Sequence, residues 1–98
     1  MPVLFGTSGI RGSVLTKVNA ELAVKFGLSL ATYLGGSGDV VVGYDARTSS
    51  QMLENAVVSG LLAGGCNAIR LGLVPTPVMA FTTRELRAGA GVMVTGSH

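Results

Sequence analysis

The sequence predicts an α/β domain in which a largely parallel sheet lies between layers of helices. Helix-period and strand segments alternate three times along the chain, the pattern of crossover units. Val40-Val41-Val42 is an uninterrupted apolar run, as in strands buried on both faces. Residues that start and stop helices stand at the expected helix boundaries. At 98 residues the chain is one domain, 1–98.

Met1–Phe5 reads as a short apolar strand, interrupted by Gly6-Thr7-Ser8-Gly9, and Ile10–Leu15 resumes extended character. Such a loop offers main-chain N–H groups and two hydroxyls to an anion. Arg11 adds a planar, permanently charged fork. Asn19 then caps a helix with Leu22, Ala23, Phe26, Leu30 and Leu34 on one face. Glu21, Lys25, Ser29 and Thr32 lie opposite, with Glu21 four residues before Lys25, the favourable order. Gly35-Gly36 ends that helix.

The Val40–Val42 strand leads into Gly43-Tyr44-Asp45-Ala46-Arg47, where Asp45 and Arg47 read as a structural pair. Thr48 and Gln51 have capping-box spacing for a second helix. Its Leu53, Ala56, Val57, Gly60, Leu61 and Gly64 share a face, and the two glycines predict close packing on the sheet. Cys66–Leu71 is the next strand and Gly72–Pro75 a loop. Thr76 reads as the N-cap of a third helix, with Pro77 at its first position and Arg84 and Arg87 in its last turn. Ala88–Thr95 is the last strand, and Gly96-Ser97-His98 turns away from it. In parallel sheets ligands bind beyond the carboxyl ends of strands. The loops at Gly43–Arg47, Gly72–Pro75 and Gly96–His98 are expected to share that edge.

Composition narrows the function. Charged residues make up 12% of the chain, against about 25% in ordinary globular proteins. The shortage predicts that further domains or a partner subunit cover part of the surface. A net charge of +2 with scattered Lys and Arg, and few aromatics to stack on bases, argues against nucleic acid. The charge-free run between Glu54 and Arg70 is shorter than the roughly 18–20 residues that span a bilayer. No secretory leader is expected at Met1. Lone Cys66 reads as a small core residue in a reducing cytoplasm.

A P-loop is absent, and Gly89-Ala90-Gly91 precedes a strand rather than following one, so the dinucleotide fingerprint fails. Ser97 is not in a Gly-x-Ser-x-Gly elbow. Adjacent side chains point apart, which argues against His98 as its base. One His and one Cys cannot make a structural zinc site. Of the five acids, Glu21 and Glu54 are expected on solvent faces of helices, and Asp39 and Glu85 on the amino edge of the sheet. Only Asp45 is expected on the edge of Ser97.

Four motifs remain, in order. Phe5–Gly12 (Phe-Gly-Thr-Ser-Gly-Ile-Arg-Gly) resembles the first motif of the α-D-phosphohexomutases, the superfamily of phosphoglucomutase, phosphomannomutase and phosphoglucosamine mutase. Val42–Arg47 is similar to the second and Pro75-Thr76-Pro77 to the third. Thr95-Gly96-Ser97-His98 resembles the start of the Thr-Ala-Ser-His-Asn-Pro phosphoserine loop, with Gly96 in place of alanine. The resemblance spans the whole chain, as the first of the family's four domains, and implies a three-layer helix–sheet–helix fold with a mixed sheet.

The resemblance further implies that Ser97 bears a phosphoryl group, that His98 assists it and that Arg11 lies close to the reacting phosphate. Thr7, Ser8 and Gly9 are expected at a phosphate. A hexose phosphate would be the substrate and a hexose 1,6-bisphosphate the intermediate. Mg²⁺ would be shared between the Ser97 phosphate and carboxylates elsewhere in the enzyme. The expected partners are the remaining domains of the same cytoplasmic enzyme, with self-association left open. Two alternatives stand beside this reading: a non-catalytic sugar-phosphate-binding or assembly domain, and a serine hydrolase using Ser97.

Overall fold

Five strands form one sheet in the order β2-β1-β5-β3-β4. They are seen in a computed structural model that describes residues 2–7, 10–15, 20–45 and 50–94, with side chains over 20–45 and 51–94. The elements are β1 (Pro2–Thr7), β2 (Ile10–Leu15), α1 (Ala20–Tyr33), β3 (Asp39–Tyr44), α2 (Ser50–Ala63), β4 (Asn67–Leu73), α3 (Thr76–Glu85) and β5 (Ala90–Val94). β3 pairs in parallel with both β4 and β5, whereas β1 is antiparallel to β2 and β5. Four strands therefore run one way and β1 runs against them, which gives the mixed, largely parallel sheet expected.

Alternation along β3 and β5 assigns the two faces. Val40, Val42, Ala90, Val92 and Val94 join a core with Ala23, Leu30 and Ala31 of α1 and Leu53, Val57 and Leu61 of α2. Val41 and Met93 turn the other way, into a smaller core with Met79 and Ala88. The result is α1 and α2 on one face, α3 on the other and the sheet between them.

The glycines of α2 do not face the sheet as their stripe predicts. A Cβ on Gly60 would lie 2.1 Å from the carbonyl oxygen of Val24, and one on Gly27 would lie 2.2 Å from that of Val57. A Cβ on Gly64 would strike Ala31 Cβ at 2.4 Å. The glycines thus let α1 and α2 cross backbone to backbone, and larger α2 side chains reach the sheet. The apolar stripe on α1 is also rotated: Ala23, Gly27, Leu30 and Ala31 are buried, and Leu22 is exposed.

Strand and cap boundaries differ from expectation for local reasons. β4 continues to Leu73 because its register with β3 shifts between Val42 and Gly43, leaving Leu71 extra, and Gly72 takes φ 77°. β5 begins late because Ala88 and Gly89 donate to Thr83 and Asp39 carbonyls instead. Pro75, extended at φ −67° and ψ 150°, is the N-cap of α3, so Thr76 is its first helical residue and caps nothing. Arg84 lies in the last turn, and Arg87 lies beyond it at φ 51°. The Asn19 cap of α1 and the Thr48 side of the α2 capping box lie outside the described residues.

All three helices end in the same way. Gly36 and Gly35 donate to Ala31 and Thr32, Cys66 and Gly65 to Leu61 and Leu62, and Ala88 and Arg87 to Thr83 and Arg84. Each pair satisfies two terminal carbonyls and needs one left-handed residue. Glycine fills that place in α1 and α2, whereas α3 uses Arg87, the one described non-glycine residue with positive φ.

Candidate functional site

The carboxyl edge of the sheet is level. Tyr44, the last residue of β3, pairs with Val94 and with Leu73, the last residues of β5 and β4. Hydrogen bonding continues one step past the strands: the Asp45 N–H donates to the Val94 carbonyl at 3.2 Å, and the Val74 N–H donates to the Tyr44 carbonyl at 2.9 Å. The three loops expected on one edge therefore leave the sheet side by side. The motif Thr95–His98 follows directly from Val94. Ser97 and His98 themselves lie outside the described residues.

The hairpin of β1 and β2 is placed differently. Thr7 pairs with Ile10 across the hairpin and with Ala90 of β5. Thr7 and Ile10 thus lie at the edge where β5 begins, and Ser8 and Gly9 lie outside the described residues. Arg11 pairs with Gly6, which pairs with Gly91. From Gly91 to Val94 is three residues, roughly 10 Å of strand. The sheet register by itself keeps the Arg11 and Thr7 backbones apart from the end of β5.

The acids are distributed as follows. Glu21 pairs with Lys25 at 3.3 Å on an exposed face. Asp39 accepts from Asn67 Nδ2 at 3.2 Å at the amino edge, and Glu85 is exposed at the end of α3. Asp45 is exposed at the carboxyl edge. Glu54 departs from expectation: it is 2% exposed, because α2 turns it toward β4 rather than to solvent. Arg70 of β4 donates to Glu54 Oε1 at 2.7 Å and also to Asn55 Oδ1. Glu54 Oε2 is buried with no hydrogen-bond partner among the described residues. The signal for the pair is that Arg70 is the lone charge in β4, while the buried Glu54 carboxylate is the group that needs a partner.

Among the described residues no group of three or more His, Cys, Asp and Glu could hold a metal. One carboxylate, Asp45, stands at the relevant edge, which is too few for Mg²⁺. These side chains alone do not fit the ion. Cys66 is buried and donates to the Ser37 carbonyl, a core thiol. Among the described residues, no helix is long and apolar enough to cross a membrane. Several large apolar side chains are exposed on α1, α2 and α3, among them Leu28, Leu62 and Phe81.

The family model described as phosphoglucomutase/phosphomannomutase, alpha/beta/alpha domain I, matches residues 2–98. A probable phosphoglucosamine mutase of Methanothermobacter thermautotrophicus is 57% identical over 97 residues, covering 99% of this chain and 22% of that protein. A probable phosphoglucosamine mutase of Pyrococcus horikoshii is 57% identical over 94 residues, covering 96% of this chain and 21% of its own. A phosphopentomutase of Thermococcus kodakarensis is 54% identical over 95 residues, covering 97% of this chain and 20% of its own. The chain spans about a fifth of the length of these relatives.

Proposed function

We propose that this chain, which belongs to the phosphoglucomutase/phosphomannomutase family as its alpha/beta/alpha domain I, carries the phosphoryl-transfer residue of a sugar-phosphate mutase. The reading rests on one observation above others. The Thr95–His98 motif issues from β5 at the edge where β3 and β4 also end, where parallel sheets present their ligands.

In the proposed reaction, phospho-Ser97 meets the free hydroxyl of a hexose 1- or 6-phosphate. The serine P–O bond breaks as the sugar O–P bond forms, and the hydroxyl proton passes in net to the Ser97 oxygen. The hexose 1,6-bisphosphate turns over in the site, and its other phosphoryl group returns to Ser97. Such a transfer asks the protein for in-line positioning and charge neutralisation more than for covalent chemistry. His98 and Arg11 are assigned to the reacting phosphate, with the Thr7 and Ser8 hydroxyls and the Gly9 N–H as further donors.

Mg²⁺ would be held by the Ser97 phosphate with carboxylates from other domains of the enzyme. The substrate, those domains and a cytoplasmic location belong to the same reading. A pentose phosphate is the second substrate reading, favoured by the similarity to a phosphopentomutase.

The test is a coupled assay of the full-length enzyme and its Ser97→Ala variant with hexose and pentose 1-phosphates. Turnover of one class, lost by several orders of magnitude in Ser97→Ala, is expected. Ser97→Ala turnover equal to that of the parent would overturn the assignment.

A further inference from the structure

Position 43 has no side chain, and Val74 occupies the space. A Cβ on Gly43 would lie 2.8 Å from Val74 Cγ2 and 3.5 Å from Met93 Cε. Val74 reaches this place from the connection between β4 and α3. It packs there against the core of Val41, Met79, Ala88 and Met93. Its N–H is fixed to the Tyr44 carbonyl, and the N–H of Asp45, the residue after β3, is fixed to the Val94 carbonyl. Pro75, the N-cap of α3, follows Val74 at once. The seat of Val74 over Gly43 thus locates the start of α3 relative to the end of β5.

We propose that Gly43 and Val74 are positioning residues for the segment that bears Ser97. The proposal rests on the reading that Ser97 carries the phosphoryl group. A methyl group at position 43 would meet a β-branched side chain that is stiff about χ1 and half-buried against this core. Rotation would turn a methyl out of that packing, so the Val74 backbone is expected to lift instead. Lifting it pulls on the Tyr44 carbonyl and, through Asp45, on the last residue before Thr95. In-line transfer tolerates little of this, because a displacement of about 1 Å can cost around a hundredfold in rate. The role is one of placement, since neither residue is assigned a contact with substrate.

Three variants of the full-length enzyme test it: Gly43→Ala, Val74→Ala and the double variant. Gly43→Ala should lower kcat by at least about tenfold, with KM within about threefold of the parent. In the Val74→Ala background, where the obstructing methyl is gone, the same change should cost less than about twofold, a coupling that ties the loss to this contact. Hydrogen exchange supplies a readout independent of chemistry. In Gly43→Ala the Asp45 and Val74 amides should exchange at least about tenfold faster, and the Val41 and Val42 amides at parental rates.

Equal losses in both backgrounds, or parental exchange at Asp45 and Val74, would overturn the proposal. If Gly43→Ala does not fold, the double variant decides, since it should fold and turn over at the level of Val74→Ala; failure to do so counts against the contact. A parent enzyme without phosphate on Ser97 would overturn the functional reading and the positioning role with it, while exchange still reports on the contact.

Discussion

Replacing Gly60 with alanine tests the helix crossing on which the larger core depends. The new Cβ would lie 2.1 Å from the Val24 carbonyl oxygen and 2.7 Å from the Leu28 nitrogen. Both are backbone atoms, so no rotamer change relieves the contact and α1 must move away from α2. Overpacking of a core usually costs about 1–3 kcal/mol, and a rigid obstruction belongs at the upper end. Alanine is the better helix former by about 0.5–1 kcal/mol. The net expectation is a loss of about 2 kcal/mol, or roughly 8–16 °C in Tm for a domain of this size. Thermal and chemical denaturation followed by circular dichroism would measure it. Exposed Ser59→Ala, one residue away, serves as control and should stay within about 0.5 kcal/mol. A Gly60→Ala chain as stable as the parent would show that α1 and α2 do not cross here.

Three further substitutions probe other contacts. Arg70→Leu strands the buried Glu54 carboxylate and should cost about 1–3 kcal/mol, whereas Arg70→Leu with Glu54→Leu should recover most of that loss in the same denaturation assay. Arg87→Gly places glycine where φ is 51° and should raise stability by about 0.5–1 kcal/mol; a loss would mean that the arginine side chain contributes more than its backbone costs. Arg11→Lys keeps the charge but removes the planar fork, so turnover of the full-length enzyme should fall by about tenfold or more while stability shifts by less than about 0.5 kcal/mol. The reverse pattern would make Arg11 structural.

Much of the architecture was legible because periodicity reports which residues share a face. The Val40–Val42 run, the Leu53–Leu61 stripe and the glycine stop at Gly35 all led to the observed elements. Periodicity does not say what a face meets. The α2 glycines were therefore assigned to the sheet, although their counterpart, Gly27, was visible on α1. Burial of a charge depends on a partner distant in sequence, so Glu54 read as solvent-facing until Arg70 stood beside it. Strand ends were misjudged at β4 because a register shift has no composition of its own beyond Gly72. The carboxyl edge was legible from topology alone. The close approach at Gly43 was not, because its partner is Val74, thirty-one positions later in the connection after β4.

The central claim is that Ser97 carries the transferred group, and locating the phosphate tests it most directly. Full-length enzyme incubated with hexose 1,6-bisphosphate would be analysed by intact mass and by fragmentation of the peptide containing Thr95–His98. One phosphoryl group is expected, on Ser97, lost on incubation with excess hexose monophosphate. A stable phosphate on Thr7 or Thr95, or an active enzyme that never carries phosphate on Ser97, would contradict it.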